Sequence, residues 1–567
     1  VATGTAFQPP TTTRRQRQLI LLTLVASLIV VILDNTILNV ALPSISRELG
    51  ASQAQLTGAI AAYAVVLGSL QFSAGVLGDR WGRRRVLLIG LFLFGLASLA
   101  ASFAADPTQL IVFRGLKAVG AAMVLPQTLS ILTNVFPPEE RPRAIGVWTG
   151  FTGASLALGP IVGGLLLERF WWGSIFFINV PIVAITMIAV VMLIPETRNP
   201  SPGRLDPLGI GLSIIGLGAL LFGLVTGGQT RDWTSFWSLG LMVLGVVVLA
   251  LFVLVQARSD HPSFDVRFFR NPRFSAATAA GCFAFFALFG TTFFLTFYYQ
   301  FVKDMSPLQA GLAVLPVGIA QVVFAPRSPA MVARIGPKFT VAFGLTLLAF
   351  SLGGYLFVDT GDPVWHVLLL SFLTGTAMAH IVAPATESVM STLPPASAGG
   401  GAAVNNTIRQ TSGALGIAVF GTVLQVVYAR EIQASLDVLP SGAQDQAGRS
   451  IGDTVIAVGR LSATDPAAGQ RASDALQCGP GQACAVGDAF MAGVHVTAVI
   501  ATVVALLGVA VVLRWLPRQA LPRTFVAQET PRTTTDEVLV PSPRTNDVDA
   551  PGHEPDGPSG PARGGPG

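Results

Sequence analysis

Charge is scarce in this chain. Of its 567 residues 11% are charged, against about 25% in ordinary soluble domains, and 51% are hydrophobic. So little charge on so apolar a chain excludes a soluble globular protein. Cysteine is rarer still, three residues in all, which excludes a disulfide-built scaffold. No Cys/His cluster has the spacing of a metal site. Lysine is confined to Lys117, Lys303 and Lys338, and the abundance of Arg, Ala and Gly beside it points to a GC-rich bacterial genome. There is no Gly-Lys pair, hence no phosphate-binding P-loop to power an ATP-driven pump. There is no HExxH and no clear GxSxG either, which removes the usual grounds for a membrane hydrolase. The formal net charge of +5 is scattered in short clusters between apolar runs. That pattern is one of membrane topology rather than a nucleic-acid footprint.

What the chain has instead is long apolar runs. A bilayer-spanning helix needs roughly 20 mostly apolar residues, and such runs occupy 20–42, 55–77, 86–104, 109–133, 144–166, 175–195, 207–227, 237–256, 274–298, 308–326, 339–357, 364–388, 401–427 and 491–514. The expected fold is therefore an all-α polytopic membrane protein of about fourteen spans. The first run follows Arg14, Arg15 and Arg17 as a signal peptide would, but it exceeds ~20 residues and has no convincing cleavage site, so it reads as a helix.

Orientation follows from the loops, because Lys and Arg collect on the cytoplasmic side. The odd-to-even turns carry Arg47, Arg169, Arg231 and Lys303, whereas the opposite side carries several times as many basic residues, including Arg80, Arg83, Arg84, Arg85, Arg141, Arg143 and Arg334. Both termini are thus expected in the cytoplasm of a bacterial cell. The same topology puts the long loop 428–490 outside, with Cys478 and Cys484 in CGPGQAC. An oxidising exterior would allow them to close a short disulfide loop; two free thiols in a flexible segment is the alternative. Cys282 lies in a span and is expected to be packed. Beyond about Arg518 the chain is rich in Pro, Thr, Asp and Gly without apolar periodicity, and is expected to be disordered.

An internal repeat relates GVLGDRWGRRR, Gly75 to Arg85, to PAMVARIGPK, Pro329 to Lys338, with Arg334 against Arg80, Gly336 against Gly82 and Lys338 against Arg84. Spans one to six then match spans nine to fourteen, and spans seven and eight are an inserted pair. The expected organisation is an N-terminal tail 1–19, a six-helix bundle 20–195, the inserted pair and its loops 196–273, a second six-helix bundle 274–514 and a tail 515–567. Two repeated halves with a site between them near the midplane are the architecture of many secondary transporters.

GVLGDRWGRRR resembles the loop signature of the major facilitator superfamily. Physically, Gly75 lets span two approach a neighbour closely, and Asp79 at a helix end can accept bonds from a helix N-terminus in the opposite half. The resemblance implies that span thirteen, which starts at Gly399 to Gly401, lies beside it. Gly75, Asp79, Arg80, Gly82, Arg83 and Arg84 would then form a latch closing the cytoplasmic side; the alternative is that the arginines only set topology. Span one ends LDNTILNVALP, Leu33 to Pro43, and resembles the first helix of the fourteen-helix drug:proton antiporters of the EmrB/QacA type. Asp34 stands inside an apolar run, where an ionised carboxylate is expensive and a functional role is the default. The alternative is a structural Asp bonded around Asn35 or Thr36.

In span four RGLKAVGAA, from Arg114, is similar to the same family's fourth-helix motif, with Lys117 where Gln is usual and Ala118 where Gly is usual. The resemblance implies that Arg114 takes part in proton transfer or supports the carboxylate of span one. Lys117 either lowers the pKa of a nearby acid or serves as a counter-ion, unless both chains snorkel outward. Span five, GVWTGFTGASLALGPIVGG, resembles the superfamily's antiporter motif at Gly146, Gly159, Pro160, Gly163 and Gly164, with Ser155 replacing a Gly. Pro160 removes a backbone bond and the glycines permit close packing, which predicts a bent helix between the halves. NNTIRQTSGALG, Asn405 to Gly416, is similar to the same exporters in span thirteen. Arg409 and Gln410 there belong either to the gate that meets Asp79 or to a simple helix anchor.

For cargo, Phe286, Phe289, Phe293 and Phe297 form a stripe at helical spacing that either lines a pocket for lipophilic cations or faces lipid. His380 and Glu387 share one face of span twelve, with Glu387 read either as a cation-attracting site or as a solvated carboxylate. The leading expectation is a proton-coupled exporter of hydrophobic or cationic small molecules, multidrug efflux by alternating access. The alternatives are a dedicated exporter of one endogenous metabolite, lipid or antibiotic, and a non-transporting sensor or enzyme. The expected partners are the bilayer, protons and a small molecule. No metal, cofactor or nucleic acid is called for, and a monomer suffices.

Overall fold

A computed structural model describes residues 12–51, 53–199, 206–230, 232–259, 262–394, 397–476 and 485–518. Regular structure among them is helical throughout. The helices are α1 Arg14–Leu49, α2 Gln53–Trp81, α3 Arg83–Ser102, α4 Pro107–Val135, α5 Arg141–Leu167, the short α6 Ser174–Phe177 running into α7 Asn179–Leu193, α8 Pro207–Thr230 and α9 Leu241–Arg258. Then follow α10 Pro272–Phe297, α11 Pro307–Phe324, α12 Ser328–Gly354, α13 Trp365–Met390, α14 Ala398–Ile432, α15 Ser441–Ala447, α16 Ile451–Thr464, α17 Pro466–Leu476 and α18 Ala485–Trp515. Each apolar run read from the sequence coincides with a helix. Among the described residues 12 helices are long and apolar enough to cross a membrane, and α5, bent by 41° near its middle, makes a thirteenth. α11 is apolar but shorter.

Helix starts are chemically marked. Thr13 caps α1 and Ser306 caps α11, each with a Gln three residues on completing a capping box. Asp106 and Asn271 cap α4 and α10, each followed by a proline whose missing N–H costs nothing at a first helical turn.

The N-terminal half packs α1 on α4, α5 and α7, and α4 on α2 and α3. The C-terminal half packs α10 on α13, α14 and α18, and α12 on α13 and α18. The halves meet where α5 lies along α11 and where α2 and α4 lie along α14. α8 packs on α9 and against both α2 and α14, so the inserted pair touches both halves. Its outer member α9 is exposed over most of its length, as a lipid-facing helix should be.

The repeat has a backbone signature. Gly82, between α2 and α3, and Gly336, at the kink inside α12, have φ of 109° and 85°, values that side chains with a Cβ rarely adopt. Each turn is also met by the segment after the last helix of its half: Glu196 accepts from the Arg84 N–H at 3.1 Å, and the Arg518 carbonyl lies against Gly336.

The expected long loop 428–490 carries short helices where it is described. α14 continues to Ile432, and α15, α16 and α17 fold over buried Leu436, Ile451, Val458, Ala472 and Leu476, with Tyr428 Oη 2.6 Å from Thr454 Oγ1. The cause is local: Ile451, Thr454 and Val458 repeat at helical spacing and supply one apolar face. Cys478 and Cys484 lie outside the described residues, as does the tail beyond Arg518. Cys282, on α10, is half-buried.

Candidate functional site

Asp34 sits in the middle of the N-terminal half with 0% of its side chain exposed. Its Oδ1 accepts from Lys117 Nζ, carried by α4, and from Asn179 Nδ2 at 3.0 Å, carried by the first turn of α7. Its Oδ2 has no partner among the described residues. Lys117 is equally buried, and its ammonium lies 4.8 Å from the ring centroids of both Phe94 and Phe176. A lysine surrounded by ring faces and one carboxylate oxygen has no route to the interface, so the snorkelling alternative does not describe this chain. Thr36 Oγ1 bonds back to the Leu33 carbonyl at 3.0 Å rather than to Asp34.

Arg114 is placed one turn from Lys117 but serves a different neighbour. Its Nε donates to the Ala59 carbonyl at 2.8 Å, its guanidinium stands 4.9 Å from the Tyr63 ring, and both terminal nitrogens lack a partner among the described residues. The direct cationic partner of Asp34 is therefore Lys117, the position at which this sequence departs from its resemblance.

α5 carries that site to the other half. Its bend falls just before Pro160, whose ring removes the backbone bond to that turn. On one side a Cβ at Gly159 would meet Thr36 Cβ at 2.7 Å, and one at Gly163 would meet Ile37 Cγ1 at 2.8 Å. On the other side Pro160 Cβ lies where a Cβ on Gly311 would go, and Gly164 faces Leu308, both of α11. Nearer the arginine-rich end Gly146 packs on Ala325 and Pro326. One bent turn thus touches the neighbours of Asp34 with one flank and the opposite half with the other.

At the arginine-rich end Asp79 accepts from the Gly399 N–H at 2.9 Å and the Gly400 N–H at 2.8 Å, the first turn of α14. Arg83, itself buried, donates to the same carboxylate at 2.6 Å. Gly75 lies against Gly399 and Ala403 with no room for a side chain. Arg84 donates to the Val191 carbonyl at 2.6 Å, and Arg85 approaches Glu196 at 3.7 Å. Arg80 is half-buried and also engaged.

Three residues of the phenylalanine stripe are turned onto α14, and the fourth, Phe297, stacks on Phe301. Phe286 meets Phe420 edge to face at 5.4 Å, while Phe289 and Phe293 face Gly413 and Gly421. In this conformation the stripe is helix packing. Glu387 is half-buried and electrostatically engaged with Arg273, and His380 bonds the Thr376 carbonyl at 2.8 Å between Phe324 and Phe343.

Sequence reasoning did not single out Asn179, Phe94, Phe176 or Tyr63. Asn179 had a signal, a polar side chain at the start of an apolar run; the aromatics had none.

A family model described as Major Facilitator Superfamily matches residues 24–207 and 207–417. The methyl viologen resistance protein SmvA of Salmonella typhimurium is 34% identical over 454 residues, covering 78% of this chain and 89% of that protein. The multidrug efflux pump LfrA of Mycolicibacterium smegmatis is 32% identical over 484 residues, covering 85% of this chain and 92% of the pump. Among solved structures, the human organic anion transporter MFSD10 superposes with a TM-score of 0.56 at 16% identity, covering 89% of this chain and 100% of the other, a likeness of fold alone.

Proposed function

This chain belongs to the major facilitator superfamily, and we propose that within it the chain is a proton-driven exporter of small hydrophobic molecules, with Asp34 as the proton-carrying group. It is a multi-pass transporter of the bacterial cell membrane and not an enzyme. Relatives named for drug resistance and efflux support the export direction and a broad, small-molecule cargo.

The observation that carries the coupling is the Asp34–Lys117 pair. Removing one partner of a buried ion pair leaves the other uncompensated, at a cost of about 3–5 kcal/mol. A proton landing on Asp34 Oδ2, the oxygen without a partner, has the same electrostatic effect. The carboxyl becomes neutral, Lys117 loses its counter-charge, and α1 and α4 are no longer held together by charge. Because Thr36 and Ile37 press on Gly159 and Gly163, a shift of α1 displaces the turn of α5 that rests on α11. The halves then rock.

Asp79 accepts from the first turn of α14, and in this reading that contact latches the cytoplasmic side. Two backbone N–H groups at a helix N-terminus bind a carboxylate strongly but only in one alignment, which is what a two-state latch needs. The same contact cannot survive rotation of the C-terminal half. One chain contains every group in this cycle, so it works as a monomer.

The test is export of a fluorescent dye by energised cells or inverted vesicles. A protonophore is expected to erase export while the ATP pool is unchanged, and Asp34→Asn is expected to abolish uphill export while the protein remains in the membrane. Equal dye accumulation by the wild type and the variant would overturn the reading.

A further inference from the structure

Arg409, on α14, is 7% exposed. Its guanidinium carbon lies 4.1 Å from the Phe285 ring centroid and 5.8 Å from that of Trp148. Phe285 belongs to α10 in the C-terminal half and Trp148 to α5 in the N-terminal half, so this cation stands where the halves meet. Trp148 is held in place by its own bond to Thr128 Oγ1 at 3.2 Å, and it offers Arg409 only the face of its ring. Among the described residues no carboxylate pairs with Arg409, and its Nη1 has no acceptor.

Two further donors share that helix face. Asn405 and Asn406, four and three residues before Arg409, are almost fully buried, and the Nδ2 of each lacks an acceptor among the described residues. Ring faces attract a cation but leave the in-plane N–H groups of a guanidinium unmet. The arrangement therefore gathers unmet donors in a place where unmet donors are costly.

The wider charge pattern agrees. Asp34 is matched by Lys117, Glu387 is engaged with Arg273 at the helix ends, and Arg114 and Arg409 are left without a bonded carboxylate. The interior favours an incoming negative charge over a positive one.

We infer that Arg409, with Asn405 and Asn406, forms the binding site for the anionic group of the cargo, a carboxylate carried on an aromatic body that stacks beside Phe285 and Trp148. Arginine presents a planar fork that fits two carboxylate oxygens, which lysine does not. This inference rests on the export function proposed above and narrows its cargo toward aromatic acids.

Equilibrium dialysis of the purified full-length chain with radiolabelled naphthoate, and in parallel with tetraphenylphosphonium, tests it at neutral pH. Arg409→Gln is expected to weaken naphthoate binding about tenfold or more, and tetraphenylphosphonium binding by less than about twofold. Arg409→Lys, which keeps the charge without the fork, is expected to fall between, and it decides the matter if the Gln variant does not fold. Asp34→Asn is expected to retain naphthoate binding, so a failure of proton coupling and a failure of the anion site are read separately. Equal naphthoate binding by wild type and Arg409→Gln, loss of both probes together, or a wild type that binds only the cation would overturn the inference.

Discussion

Lys117 reaches Asp34 across 83 residues of chain, and neither side chain exposes any surface. The pair joins the first and fourth helices of one half, two residues from the point where α1 presses on the bent turn of α5. Charge at Asp34 and contact between the halves are thereby linked through Thr36 and Gly159.

Lys117→Met is expected to destabilise the folded protein by about 3–5 kcal/mol, because Asp34 is left charged, buried and bonded only by Asn179. Asp34→Asn combined with Lys117→Met removes both charges and is expected to be more stable than the single lysine variant. Thermal unfolding of the four proteins in detergent closes the cycle; strict additivity would mean that the pair does not interact.

The proposed role of Asp79 as a latch predicts a change in access. With the native cysteines replaced by serine and a single cysteine introduced at Ala403, which lies against Gly75, an impermeant maleimide added from the cytoplasmic side is expected to label slowly. Asp79→Asn weakens the two charge-assisted bonds to α14 as well as the pairing with Arg83, and is expected to raise the labelling rate about tenfold.

Gly159→Val places branched carbon into Thr36 and Ile37. Overpacking of this kind costs about 1–3 kcal/mol, and export is expected to fall about tenfold at unchanged membrane content, since α1 and α5 can no longer close. Dye efflux normalised to protein in the membrane checks this.

The paired glycines make a prediction about the repeat. Gly82→Ala and Gly336→Ala are each expected to cost about 1–3 kcal/mol, because both positions hold a positive-φ conformation almost confined to glycine. Gly281→Ala, in a helix with open space around it, is expected to be neutral or to stabilise by about 0.5–1 kcal/mol.

Much of the architecture was legible because bilayer spans announce themselves as apolar runs, and the alignment of Gly336 with Gly82 found two turns of the same unusual conformation. Rotation of one helix against another was not legible. Periodicity places Lys117 on a face of α4 without saying that the face meets α1, so the partner of Asp34 could not be read from RGLKAVGAA. The stripe Phe286, Phe289 and Phe293 was ambiguous for the same reason; its destination is the notches at Gly413, Gly416 and Gly421, whose spacing is itself helical and would have suggested the match. The short helices between Ile432 and Leu476 were missed because a window tuned to bilayer thickness does not respond to one or two amphipathic turns.

The most direct test of the central claim uses the purified chain in proteoliposomes with an acidic lumen and substrate outside. Wild type is expected to accumulate substrate against its gradient while protons leave the lumen, and Asp34→Asn is expected to exchange substrate without accumulating it or moving protons. Accumulation by the variant equal to that of the wild type, or accumulation by the wild type without proton movement, would contradict the account.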